Sequence, residues 1–174
     1  MSKYLHRIGL LLMTCASILM FISFTLPWWI GDFTITDPGM NEVRIYGWGL
    51  RQSLVGLGSA IEHDLTPMNQ TILAWAYIAI SIIALFLGLT LTRKWSYSLL
   101  LSTTSGIGYI SYALVSVYVV IQNRLDAQGI ALQGKSYIPT GYTFIEIYTS
   151  IQMGFYLAIG TGVCIVLSSI FYLP

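Results

Sequence analysis

Four stretches of this chain, at residues 8–28, 72–92, 97–121 and 149–172, carry no charged side chain from end to end. Each reaches the length of about 20 residues that an α-helix, rising 1.5 Å per residue, needs to cross a hydrocarbon core of about 30 Å. Lipid offers no hydrogen-bond partners, so a segment lying in it must satisfy its own backbone, and a helix does so. The expected fold is therefore an all-α membrane protein. It is a single domain over residues 1–174, a left-handed four-helix transmembrane bundle with outer loops at about 29–71 and 122–148. Composition points the same way: 9% of the 174 residues are charged and 56% are hydrophobic, against about 25% charged in an ordinary soluble domain. Eight basic and seven acidic side chains are too few to cover such a chain in water.

Orientation follows from the positive charges, because Lys and Arg in short flanks stay on the cytoplasmic side. Lys3 and Arg7 precede the first stretch, and Arg93 and Lys94 lie between the second and third, with no carboxylate near either pair. Asp32, Asp37, Glu42, Glu62, Asp64, Asp126 and Glu146 fall in or beside the two longer loops. The expectation is a multi-pass protein of the cell membrane with both termini cytoplasmic. The first stretch is longer than the apolar region of a signal peptide, about 7 to 15 residues, and no small-x-small cleavage site precedes Pro27-Trp28-Trp29, so it is expected to stay as an anchor. Cys15 and Cys164 each lie within an apolar stretch and read as small buried residues. A net charge of +1 without any Lys/Arg cluster argues against a nucleic-acid partner.

The longer loops exceed what a connection requires. Phe33-Thr34-Ile35-Thr36 and Val43-Arg44-Ile45-Tyr46 alternate apolar and polar residues around the turn signal Asp37-Pro38-Gly39, which predicts a hairpin and with it a small extracellular antiparallel sheet. Leu54, Leu57, Ile61 and Leu65 recur at helical spacing, which predicts a short amphipathic helix. The run from Tyr142 to Tyr148 is rich in aromatic and β-branched residues. It reads either as an edge strand added to the hairpin or as the first turns of the fourth helix. Asn69-Gln70-Thr71 is a glycosylation sequon at Asn69, on the side expected to face out.

In sum, the chain resembles the claudin superfamily of four-helix membrane proteins, which includes the calcium-channel gamma subunits. The resemblance rests on the first stretch ending in Pro27-Trp28-Trp29 and on a first outer loop whose hairpin leads into Tyr46-Gly47-Trp48-Gly49-Leu50-Arg51. Within it Trp48-Gly49-Leu50 looks like the family's Trp-x-Gly-Leu-Trp signature. A basic inner turn, a third helix that protrudes outward and a strand before the fourth helix are implied by the same likeness. Two features depart from it. The family braces its outer sheet with a pair of loop cysteines, and neither Cys15 nor Cys164 lies in a loop, so packing of Trp28, Trp29, Trp48 and neighbouring aromatics must serve instead. The family's cytoplasmic tail for scaffold proteins has no counterpart after Tyr172-Leu173-Pro174, so no such partner is implied.

Catalysis needs converging polar groups, and few are available. His6 and His63 are the only histidines, and Glu62-His63-Asp64, as neighbours on a helix, would point in different directions rather than close a metal site. Gly56-Leu57-Gly58 and Gly106-Ile107-Gly108 lack the strand and lysine of a phosphate loop. No cofactor is expected and the chain does not read as an enzyme. Gly106, Gly108, Gly154, Gly160 and Gly162, with Ser102, Ser105 and Ser111, suit close helix packing. The leading expectation is a structural or adhesion protein whose outer domain, through Trp28, Trp29, Tyr46, Trp48, Leu50, Arg51, Tyr137 and Tyr142, meets neighbours. Its partners would be membrane lipid and either further copies of itself or other membrane subunits. Of these residues, Trp48 reads as sheet core and Tyr137 as contact. The alternatives are an accessory subunit of a respiratory or channel complex and a lipid- or quinone-binding membrane protein.

Overall fold

A computed structural model describes residues 2–34, 39–56, 59–64, 68–91, 95–140 and 143–171. Each of the four uncharged stretches falls on a helix: α1 at Ser2–Thr25, α2 at Met68–Leu91, α3 at Trp95–Leu114 and α5 at Met153–Phe171. The third rod continues past α3 through a π-helical segment, Val115–Ile121, into α4 at Gln122–Asp126. Gly129, at φ 71°, follows its end. Two helical stretches, Arg7–Thr25 and Thr103–Asp126, are long and apolar enough to cross a membrane. Shorter apolar stretches, Met68–Ile83 and Met153–Ser169, lie in α2 and α5.

Two helix ends differ from expectation. The first helix stops at Thr25 rather than at residue 28, because the residue before a proline is pushed out of the α region and Pro27 has no N–H to donate. Trp28 and Trp29 thus belong to a strand, β1 at Pro27–Thr34. The fourth helix begins at Met153 rather than at 149, since Thr149, Ser150 and Ile151 pair with Gly31, Ile30 and Trp29.

The sheet is larger than the hairpin the sequence suggests. Six antiparallel strands, β1, β2 at Gly39–Tyr46, β3 at Gly49–Gly56, β4 at Ser59–Asp64, β5 at Gly134–Thr140 and β6 at Thr143–Ile151, stand in the order β4-β3-β2-β1-β6-β5. The expected hairpin is β1 with β2, Phe33 opposite Asn41 and Gly31 opposite Val43; residues 35–38 lie outside the described residues. From Thr143 onward the aromatic and β-branched run is strand rather than helix; Tyr142 lies outside the described residues. The strand is not the edge, however, because β5 covers its outer side.

The amphipathic helix expected over 54–65 is contradicted. Leu54 pairs with Ile61 and Val55 with Ala60 across β3 and β4; Leu57 and Leu65 lie outside the described residues. Glycines at 49, 56 and 58 each cost about 1 kcal/mol in a helix relative to alanine, and the free edge of β2 offers a backbone ladder instead. Glu62, His63 and Asp64 accordingly sit on β4, not on a helix.

Strand alternation divides the sheet. Trp29, Phe33, Val43, Ile45, Ile145, Ile147 and Ile151 are buried in, or packed against, the core at the helix ends. Asp32, Glu42, Arg44, Lys135, Tyr137, Glu146 and Tyr148 occupy the intervening positions of β1, β2, β5 and β6, on the opposite face.

Among the helices, α5 packs along both α1 and α3, and α2 meets α1 through Trp75, whose ring lies 5.0 Å from that of Phe24 and 5.8 Å from that of Phe21. The α3/α5 contact is backbone to backbone: a Cβ added at Gly162 would lie 2.8 Å from the Gly106 carbonyl oxygen and 2.3 Å from Ile110. Thr103 and Ser169 share a 3.0 Å hydroxyl hydrogen bond across the same pair. Gly154 is tightly packed as well, against the carbonyls of Leu26 and Pro27, but Gly108 and Gly160 face open space.

Candidate functional site

Two surfaces of the β-sheet end of the molecule present chemistry. The first is an open cleft of about 620 Å³ between the inner face of the sheet and the outer end of the third helix. Trp28 forms its floor. That side chain is 1% exposed, donates its indole N–H to the Ser23 carbonyl at 2.8 Å and meets the Tyr112 ring edge-on at 5.8 Å. Ser23 in turn donates to the Gly154 carbonyl at 2.8 Å, so the end of α1, the start of β1 and the start of α5 are joined at one point. Tyr112 donates its hydroxyl to the Gly47 carbonyl at 2.7 Å, which ties α3 to the β2–β3 turn. Only glycine fits there, because a Cβ on Gly47 would lie 2.6 Å from the Phe24 ring and 2.8 Å from the Trp28 ring. Trp48 stacks on Tyr46 at 4.9 Å beside this turn, and both line the cleft. From the helical side Ser116, Val120 and Ile121 of the π-helical segment, then Arg124, Leu125 and Gln128, complete the wall. Such segments locally change which side chains a helix presents to one side and recur at functional sites.

The second surface is the outer face of the sheet. Arg44 makes a bidentate ion pair with Glu42, its Nη2 donating to Oε2 at 3.0 Å and its Nε to Oε1. This hydrogen bonding raises the already high guanidinium pKa. Asp32, directly across from Glu42, has its pKa raised above the ordinary 3.8 by partial desolvation and then by the Glu42 charge, against the opposing pull of Arg44. On the far strands Lys135 pairs with Glu146 and lies 5.2 and 5.0 Å from the ring centres of Tyr137 and Tyr148. Its pKa is raised by the phenol oxygen of Tyr137 and then by that of Tyr148. Tyr148 donates its hydroxyl to Glu146 at 2.8 Å. Tyr137 and Phe144 are 56% and 66% exposed beside this group.

The residues singled out in the sequence divide between these surfaces. Trp28 and Trp29 are buried at the core of the sheet end, Trp29 donating to the Leu132 carbonyl at 2.9 Å, and both line the cleft. Tyr46 and Trp48 are half-buried in the cleft wall. Leu50 and Arg51 lie on β3 opposite Ile45 and Arg44. Tyr137 stands on the outer face, and Tyr142 lies outside the described residues. Asn69 is exposed in the first turn of α2, its side-chain oxygen accepting from the Gln70 amide at 2.9 Å. Sequence reasoning missed Tyr112, Ser116, Arg124 and Gln128. The one available signal was Arg124, the first charged residue after Lys94. Among the described residues no three His, Cys, Asp or Glu side chains come together. No family model matches the chain, and no curated protein matches it.

Proposed function

We propose that the chain is a non-enzymatic, multi-pass membrane protein of claudin-like layout that assembles laterally, with itself or with neighbours, through its outer sheet. Its four long helices form a left-handed bundle across the bilayer, with both termini cytoplasmic and the sheet outside. The support for a lipid environment is the polarity of the helices. Leu11, Leu73 and Ile80, 65% exposed or more, point outward, whereas Ser17, Ser23, Thr161, Ser168 and Ser169 are buried. Each of those hydroxyls donates to a main-chain carbonyl, as a polar group sealed from water must. The claudin-like layout draws on the β1–β2 hairpin, the third helix continuing to Asp126 and the strand before the last helix.

The observation that carries assembly is the row of exposed aromatics on the β5–β6 pair, Tyr137 and Tyr148 beside Lys135 and Phe144 further along β6. Exposed aromatics of this kind are the residues that dominate protein contacts. Cross-linking in native membranes is expected to trap homo-oligomers, and the double variant Tyr137→Ala, Phe144→Ala to reduce them without loss of expression; strict monomers in the wild type would refute the proposal. The exposed apolar side chains of α2, Ile72, Leu73, Ile80 and Ile83, favour a second reading as an accessory subunit. A mild-detergent pull-down that returned one larger partner in fixed ratio would select it.

A further inference from the structure

We propose that the cleft beneath the sheet is a binding site for one long-chain carboxylate amphiphile, its carboxylate held by Arg124 and its chain lying over Trp28, Tyr112 and Val120. Three observations converge on this class of ligand.

The first is charge. Among the described residues Arg124 is the only charged one on the cleft wall, with no carboxylate facing it there and no ion-pair or hydrogen-bond partner. Elsewhere at this end of the molecule Arg44 and Lys135 are each paired with a glutamate. An unpaired guanidinium at the exposed rim of an apolar wall favours an anion, and its planar fork fits a carboxylate with two parallel hydrogen bonds. The side-chain amide of Gln128, also on the wall, supplies a further donor.

The second is size and lining. A volume of about 620 Å³ lies within the range of about 300–1,000 Å³ of small-molecule sites. It matches one long chain with its head. Ordered water needs two to four polar partners, roughly, in such a space. The wall of indole, phenol and aliphatic groups offers few, because the Trp28 N–H and the Tyr112 hydroxyl are already bonded to carbonyls.

The third is access. The cleft is open rather than enclosed, bounded by Gln70 and Ala74 of α2 on one side, and Val120 on its facing helical side is 46% exposed. On the membrane reading above, on which this inference rests, that side meets the outer leaflet. A chain can therefore enter sideways from the bilayer while its head rises to Arg124.

The test uses the full chain in nanodiscs of a zwitterionic phospholipid, titrated with dibrominated stearate while tryptophan fluorescence is read, since bromine quenches on contact and Trp28, Trp29 and Trp48 line the cleft. Saturable quenching is expected. Arg124→Gln, a change on an exposed side chain, should weaken half-saturation about tenfold, the low end of what one charge-assisted hydrogen bond contributes. Dibrominated stearyl alcohol should be insensitive to that substitution, and Val120→Phe should reduce the quenching amplitude by filling the cleft. Quenching that rises without saturation and equally in wild type and both variants would mean partition into the bilayer and would overturn the proposal. Saturable quenching by a dibrominated two-chain anionic phospholipid, with the same dependence on Arg124, would overturn the single-chain assignment. Protein that remained dispersed in buffer without amphiphile would instead sink the membrane reading itself, a result visible before any titration.

Discussion

The helical bundle and the sheet that caps it follow opposite rules. In the bundle the outward side chains are Leu11, Ile18, Leu73 and Ile80, and hydroxyls such as Ser23, Thr161 and Ser168 lie inside. In the cap the outer face carries Arg44, Glu42, Lys135 and Glu146 in ion pairs, and indole and isoleucine lie within. Burial therefore does not by itself say which residues are apolar. The bundle is held by close approach and by hydroxyl-to-carbonyl bonds, which need no water to drive them. The cap is held by apolar area removed from water, at roughly 25 cal/mol per Å².

The most forceful way to break this contrast is to place a charge on the outward side of each half. Ile80→Lys, on a bundle residue 65% exposed, is expected to cost about 3 kcal/mol if lipid lies there. Phe144→Lys, on a cap residue 66% exposed, should stay within about 0.5 kcal/mol, as a water-facing substitution does. Membrane insertion yield and melting in detergent check the pair; equal and small effects would abolish the distinction.

A second comparison sharpens the rule inside the bundle. Gly162→Ala drives a methyl toward the Gly106 carbonyl and Ile110, but nothing stands within 4 Å of the same methyl at Gly160. The first should lose about 1–3 kcal/mol through overpacking. The second should be neutral or gain up to about 1 kcal/mol through helix propensity. Thermal unfolding of the two variants in one detergent gives the answer directly.

The smallest effect belongs to the cap. Because the folded state raises the Asp32 pKa above 3.8, it binds this proton more tightly than the unfolded chain does. The ionised carboxylate thus opposes folding at neutral pH, and the penalty lifts as pH falls through the raised value. Asp32→Asn should melt slightly higher than wild type at pH 7, with the difference shrinking on acidification through the carboxylate range. A difference that grew on acidification would reverse the assignment.

The helices were legible because an uncharged run of that length has few alternatives, and the hairpin because alternation flanked Asp37-Pro38-Gly39. Strand β5 was not. Gly134-Lys135-Ser136-Tyr137-Ile138-Pro139-Thr140 reads as loop, and it becomes strand only because the edge of β6 is there to receive it, a place that tolerates proline. The misread helix at 54–65 shows the converse, a helical spacing overridden by a waiting ladder and by glycines. The cleft was illegible for a different reason: its walls come from β1, β2, the start of α2 and the third helix, and local patterning does not report which distant elements will meet.

The seam between β1 and β6, where Trp29 lies opposite Ile151, has a consequence for biosynthesis. Strands β1 to β4 are neighbours in sequence and can pair as soon as they emerge, but β6 reaches its slot only after two further helices have been made. Until then β1 keeps one bare edge, a template for any other extended segment. The nascent cap therefore passes through an interval with that edge unpaired, and the emergence of β6, ahead of the last helix, closes it.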